Sequence, residues 1–123
     1  MTAYSNLAYA QPAAAVRTPR AAEYDVIARV TRRLSAAAAR RKEDYPAFAA
    51  ALSDNERLWS TLAADVAGDG NGLPQALRAR LFYLFRFTAE HSRKVRSGEA
   101  TPEVLVEINT AVLRGLRGEG ATE

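Results

Sequence analysis

Few side chains in this 123-residue chain could do chemistry, and they do not converge on a reaction. His91 is the only histidine. Catalysis would need a base or nucleophile positioned against it, and the sequence shows none. A metal site would need further ligands at helical spacing, and these too are missing. His91 follows Leu84 by seven residues, at the edge of an apolar helical stripe. A locally hydrogen-bonded histidine bordering a core is the expectation there. Asp65, Asp69 and Asn71 surround a glycine-rich turn, but they lack the twelve-residue ligand pattern and closing glutamate of a calcium loop. The glycines at 68, 70 and 72 resemble neither a phosphate-binding loop nor a dinucleotide fingerprint. The chain has no cysteine, which excludes disulfides and thiolate metal sites. The sequence predicts a protein that binds rather than catalyses, with no metal, cofactor or small-molecule substrate.

Residues suited to recognition are more numerous. Asn55 lies inside an apolar stripe one turn before Trp59, and Asn109 lies on the edge of another. A buried amide without partners costs about 1–3 kcal/mol. The two therefore either cross-link helices and set their register or line a groove and meet a partner's backbone. Trp59 is expected to anchor the core. Phe82 and Tyr83 fall outside their helix's main stripe, near Arg86 and Arg93, and such mixtures of aromatics and arginine suit an interface as well as a second packing layer. Val106 and Leu113 widen the apolar surface around Asn109, so that helix must contact two layers or a partner. Candidate partner-binding residues are thus Asn55, Phe82, Tyr83, Arg86, Val106, Asn109 and Leu113. A basic face of Arg29, Arg32, Arg33 and Arg40 could touch phosphates. It lacks the interleaved aromatic platforms of single-strand recognition, and a solvated helix face is the better reading.

Four helices must position these residues. The first begins at Thr18-Pro19, a hydroxyl cap followed by proline, and is expected to reach about Arg41 with Tyr24, Ile27, Val30, Leu34 and Ala38 on one face. The second runs from about Pro46 to before Gly68 with Phe48, Leu52, Asn55, Trp59, Leu62 and Val66 in its stripe. Ser53 and Glu56 have capping-box spacing, which makes a kink or restart near Asp54 an option. Glycines 68, 70 and 72 mark a turn that can use positive φ. The third helix runs from Pro74 to about Arg96 on Leu77, Leu81, Leu84, Phe85, Thr88 and Val95, and Ser97-Gly98 ends it. The fourth starts at Thr101-Pro102 and carries Val104, Leu105, Ile108, Val112 and Leu116, with Gly118 and Gly120 closing it. The expected core comprises Tyr24, Ile27, Leu52, Trp59, Leu77, Leu81, Leu84, Ile108, Val112 and Leu116.

No segment alternates like a strand, so the predicted fold is all-α: a small antiparallel bundle of about four helices with a flexible N-terminal arm. The domain is expected over 18–118, the arm over 1–17 and a short tail over 119–123. The arm holds Tyr4, Leu7 and Tyr9 at loosely helical spacing; it is either a frayed tail or a segment that orders against a partner or its own bundle. Charge comes in blocks. Residues 17–42 carry eight basic and two acidic side chains (+6), and 43–72 one basic and six acidic (−5). Residues 73–100 carry six basic and two acidic (+4), and 101–123 two basic and four acidic (−2). Alternating blocks suit antiparallel neighbours that attract each other and argue against a uniformly basic nucleic-acid binder. No apolar run is long enough to cross a bilayer. The N-terminus lacks a basic start followed by an apolar stretch, so a cytoplasmic protein is expected.

The ordered phrases Asn55…Leu58-Trp59, Leu73-Pro74…Leu77-Arg78-Ala79 and Ile108-Asn109…Gly115-Leu116 resemble the FlaF family of flagellar biosynthesis regulators. Pro19-Arg20 with Glu23-Tyr24, and Phe87-Thr88…His91…Val95, extend the likeness over about residues 19–116. The resemblance implies a role in flagellum assembly. It implies binding of flagellin as an export chaperone or, alternatively, post-transcriptional regulation acting on flagellin mRNA directly or through an FlbT-like partner. It carries over no residue-level site.

Overall fold

The computed structural model describes residues 19–68 and 72–122, with side chains described for 23–68 and 72–116. The expected arm over 1–17, and the Thr18 cap, lie outside the described residues. Four helices follow in order: α1 (Pro19–Ala39), α2 (Tyr45–Ala67), α3 (Gln75–Arg96) and α4 (Glu103–Thr122). No strand occurs among the described residues. The all-α bundle is the fold the residue spacing predicts.

The ends of the helices have local causes. α1 stops at Ala39, two residues short of the expected end, and Arg41 folds back to donate to the Ala38 carbonyl at 2.6 Å. Asp44 caps α2, its carboxylate accepting from the Ala47 amide at 3.2 Å, with Pro46 in the first turn where its missing N–H costs nothing. The restart near Asp54 does not occur. α2 is continuous because Ser53 and Glu56 both serve Arg96 of α3 instead of capping a helix. α3 closes in a Schellman motif: Glu99 N–H reaches Lys94 O at 2.8 Å and Gly98 N–H reaches Val95 O at 3.1 Å. Gly98 takes the left-handed φ of +82° this needs. In the other turn Gly72 has positive φ, whereas Gly68 is extended. Gly118 and Gly120 do not close α4, which continues to Thr122; a helical glycine costs only about 1 kcal/mol and does not forbid the helix.

α1 packs against α2 and α4, and α2 against α3, while α3 and α4 meet only sparsely. Each packed pair carries opposite net charge, as does the sparsely packed α3–α4 pair. Arg33 pairs with Asp54 between α1 and α2. Arg96 grips Glu56 with two nitrogens at 2.6 and 2.8 Å between α3 and α2. Arg41, just past α1, reaches Glu103 of α4 at 3.5 Å.

The interior divides along the bundle axis. At the end holding the 40–44 and 97–102 turns, Leu34, Ala38, Phe48, Ala51, Leu52, Val95 and Leu105 form one fully buried cluster. At the other end Ile27, Leu58 and Trp59 are the buried centre of the second cluster, and Ala63 and Val66 are buried further along α2. Of the ten expected core residues, Ile27, Leu52 and Trp59 are buried. Tyr24, Leu77, Leu81, Leu84, Ile108, Val112 and Leu116 are half-buried. Those seven lie where the helices splay rather than where they close.

Candidate partner-binding surface

Between the two clusters sits a polar chain. Trp59 Nε1 donates to Asn109 Oδ1 at 2.9 Å, and Asn109 Nδ2 donates to Asn55 Oδ1 at 2.7 Å. Both amides are 0% exposed. Neither presents itself to a partner, which corrects their place among the surface candidates. They join α2 to α4 across the bundle, and a one-turn slip of either helix would break both bonds. Asn55 Nδ2 and Ser92 Oγ, both buried, have no protein partner.

Phe82, Tyr83 and Arg86 do not form one patch. Arg78 donates to the Val66 carbonyl of α2 at 3.2 Å, so its flank of α3 is the α2 flank. Phe82, one turn further on, shares that flank and is half-buried. His91 marks the opposite flank, since its Nε2 donates to the Thr101 carbonyl at 2.7 Å, just before α4. A carbonyl can only accept, which fixes the proton on Nε2. Phe87 stacks on His91 at a centroid distance of 5.5 Å, and Tyr83 stands one turn before Phe87. Tyr83 is 66% exposed and Phe87 37%. Arg86 is exposed on the outer surface.

This aromatic ladder borders the sparse α3–α4 seam. Beside it lie the half-buried Leu81, Leu84 and Phe85 of α3 and Ile108, Val112, Leu113 and Leu116 of α4, all packed onto Ile27, Leu58 and Trp59. Gly115 of α4 is exposed, and a Cβ placed on it would meet nothing within 4 Å. Leu113 belongs to this open end, whereas Val106 packs against the closed cluster. The sequence reading missed Phe87 and the seam. The Tyr83–Phe87–His91 repeat of four was a readable signal; the weak α3–α4 contact, a property of how four helices divide their contacts, was not.

A second concavity, about 410 Å³, lies between α1 and α2. Val26, Val30 and Leu58 form its floor, and Arg29, Arg33 and Arg57 its rim. Asp54 pairs with both Arg33 and Arg57, which offsets one charge of the basic face at Arg33. No cluster of metal-ligating side chains and no helix long and apolar enough to cross a membrane occur among the described residues. Among protonation equilibria, the Arg93 guanidinium hydrogen-bonded to Glu90 holds that carboxyl below its usual range, and Glu56 raises Arg96 in the same way. Both are ion-pair effects on helix surfaces rather than signs of reactivity.

No curated protein and no solved structure is significantly similar to the chain. Comparison with known protein families matches flagellar protein FlaF over residues 5–116, which takes in three helices and most of α4 together with most of the sequence before α1. With its four-helix core, its Asn55–Asn109–Trp59 cross-link and nearly its whole length inside that match, this chain belongs to the FlaF family of flagellar proteins.

Proposed function

We propose that this protein acts in the cytoplasm as a binding protein for flagellin, shielding an apolar amphipathic segment and so supporting flagellin synthesis and export. The observation that carries the proposal is the open half of the bundle: half-buried leucines, isoleucine and valine along the α3–α4 seam, flanked by exposed Tyr83 and Phe87. A helix laid into such a groove gains apolar contact at successive turns, and the aromatics supply rigid anchor area. No catalytic step is invoked; the action is capture and release.

Titration of purified protein with flagellin tests this directly. Tyr83→Ser with Phe87→Ser should weaken binding at least tenfold while leaving the melting temperature nearly unchanged, because neither ring belongs to a buried cluster. Equal losses of stability and binding would make the ladder structural. The alternative, action on flagellin mRNA, has a weaker physical basis, since Asp54 occupies two of the three arginines lining the α1–α2 cleft. Salt-sensitive binding of flagellin leader RNA with no binding of flagellin would reverse the ranking.

A further inference from the structure

The cleft between α1 and α2 has no part in the reading above. α1 packs on α4 and α2 on α3, so this cleft and the α3–α4 seam lie on opposite sides of the bundle. We infer that the α1–α2 cleft is a second docking site and that it takes an acidic amphipathic helix of a protein partner. The inference goes beyond flagellin capture at the seam and does not rest on it.

The walls of the cleft combine two chemistries. Val26, Val30 and Leu58 give it an apolar floor within a volume of about 410 Å³. Arg29, Arg33 and Arg57 stand around that floor, and Asp54 is the one acid of the lining. Three guanidiniums against one carboxylate leave two positive charges over, at the mouth of an apolar hollow. Asp54 is the more enclosed partner in its ion pairs: its side chain is 28% exposed, against 58% for Arg33 and 75% for Arg57. It therefore positions two guanidiniums without covering them. Each gives it a hydrogen bond from Nη1 alone. A guanidinium has several further N–H donors in a fixed fork, and these stay available to a second acceptor. Arg29, one turn before Arg33, is exposed and forms no ion pair among the described residues.

Charge and spacing select the occupant. Arg29 and Arg33 stand about 6 Å apart along α1, which matches carboxylates at i and i+4 on a partner helix. Arginine forks fix the orientation of such carboxylates by paired hydrogen bonds. Apolar side chains on the same face of that helix would fill the hollow over Val30 and Leu58, as in helix-in-groove recognition. A nucleic-acid strand fits the cleft less well. No aromatic side chain lines it for bases to stack on, Asp54 stands in it as a fixed negative charge, and a sugar–phosphate backbone has no use for the apolar floor.

The test uses the full-length protein and a fluorescent helical peptide of about fifteen residues, with two glutamates one turn apart and leucines on the same face. The parent protein should bind it saturably, and the Arg29→Gln, Arg57→Gln double variant about tenfold or more weakly. Both arginines are exposed, so the melting temperature of that variant should stay near the parent's. Arg29→Glu should lose affinity for the peptide and regain most of it when one or the other glutamate is replaced by lysine, a rescue that a damaged fold would not give. Absence of saturable binding by the parent protein would overturn the inference. Equal binding of a peptide with serine in place of leucine would reduce it to loose charge attraction. Tighter binding of a single-stranded RNA of equal charge, lost in the double variant, would make the cleft a phosphate site. Binding that survives in the double variant, or that fails in Tyr83→Ser with Phe87→Ser, would put the peptide outside the cleft. Flagellin capture is read at Tyr83 and Phe87 and peptide capture at Arg29 and Arg57, so either can fail while the other stands.

Discussion

The two ends of this bundle are made of the same residue types and differ in closure. At the closed end Phe48, Leu52, Leu34 and Leu105 are completely enclosed, all four helices contribute, and two short turns hold their ends together. At the open end the cluster's three buried residues are ringed by ten half-buried ones, and α3 meets α4 only sparsely. Apolar surface left half-exposed weakens a fold slightly and gives a partner something to cover. The closed end thus supplies the stability, and the open end keeps the surface for binding. Between them the Trp59–Asn109–Asn55 chain fixes the register of α2 and α4, so that the open end has a defined shape.

The largest expected effect is a contrast between single truncations. Phe48→Ala should cost about 3–5 kcal/mol, because the ring is enclosed and its removal leaves a cavity the packed helices cannot fill. Leu84→Ala should cost less, about 1–2 kcal/mol, because the side chain is only partly enclosed and no fully closed void forms. Urea denaturation of the two variants measures the difference. Similar costs would erase the distinction between the ends.

Next comes the boundary between them. Asn109→Ala removes the acceptor for Trp59 Nε1 and the donor to Asn55, and leaving such groups buried and unmet costs about 1–3 kcal/mol. Asn55→Ala should cost less than Asn109→Ala, since Asn55 makes one of the two bonds and its own Nδ2 is already without a protein partner. A double-mutant cycle should show the two losses to be non-additive. Strict additivity would mean that the amides act separately and do not form a register device.

Much of the closed end was legible in the sequence, and much of the open end was not. Leu34, Phe48, Leu52, Val95 and Leu105 stand in stripes with helical spacing, and burial follows from that spacing wherever helices close on each other. Leu77, Leu84, Val112 and Leu116 have the same spacing, yet stay half-buried, because periodicity reveals which face turns inward and not whether a neighbour arrives. Ser53 and Glu56 show the same limit in polar form: their spacing resembles a cap, but Arg96, forty residues from Glu56, takes both. The charge blocks were compatible with the packing without determining it. Opposite signs on consecutive segments suit the Arg33–Asp54 and Arg96–Glu56 pairs that join α1 to α2 and α2 to α3, but they suit α3 and α4 equally, and those two meet only sparsely.

Those ion pairs give a smaller effect. Glu56→Gln should cost less than about 1 kcal/mol, since both partners are over a third solvent-exposed (side chains 38% and 34%) and surface pairs are largely screened. The loss should shrink further in high salt. A cost of several kcal/mol, insensitive to salt, would show that Arg96 holds α3 in place and that the open seam depends on it.

The smallest effect concerns acid, and it locates a tie at the closed end. Glu103 starts α4, and its carboxyl is held below its ordinary value of 4.5, first by a hydrogen bond from its own backbone N–H; desolvation opposes this, and the Thr101 hydroxyl and the Arg41 guanidinium add smaller lowering effects. A carboxyl depressed in the folded state binds its proton less readily than in the unfolded chain. Its contribution is therefore present above about pH 4.5 and is lost as the pH falls through the depressed value. Glu103→Gln should flatten this acid limb of the stability profile slightly and leave the neutral region nearly unchanged. The same substitution removes a charge that favours the N-terminus of α4 and pairs with Arg41 beyond α1. If the ends are as distinct as their packing indicates, the loosening should raise hydrogen exchange at Leu105 and Leu34 and leave Val112 and Leu84 untouched. Spread of the effect to the open end would show that the two halves unfold as one unit, with the amide chain transmitting strain rather than separating them.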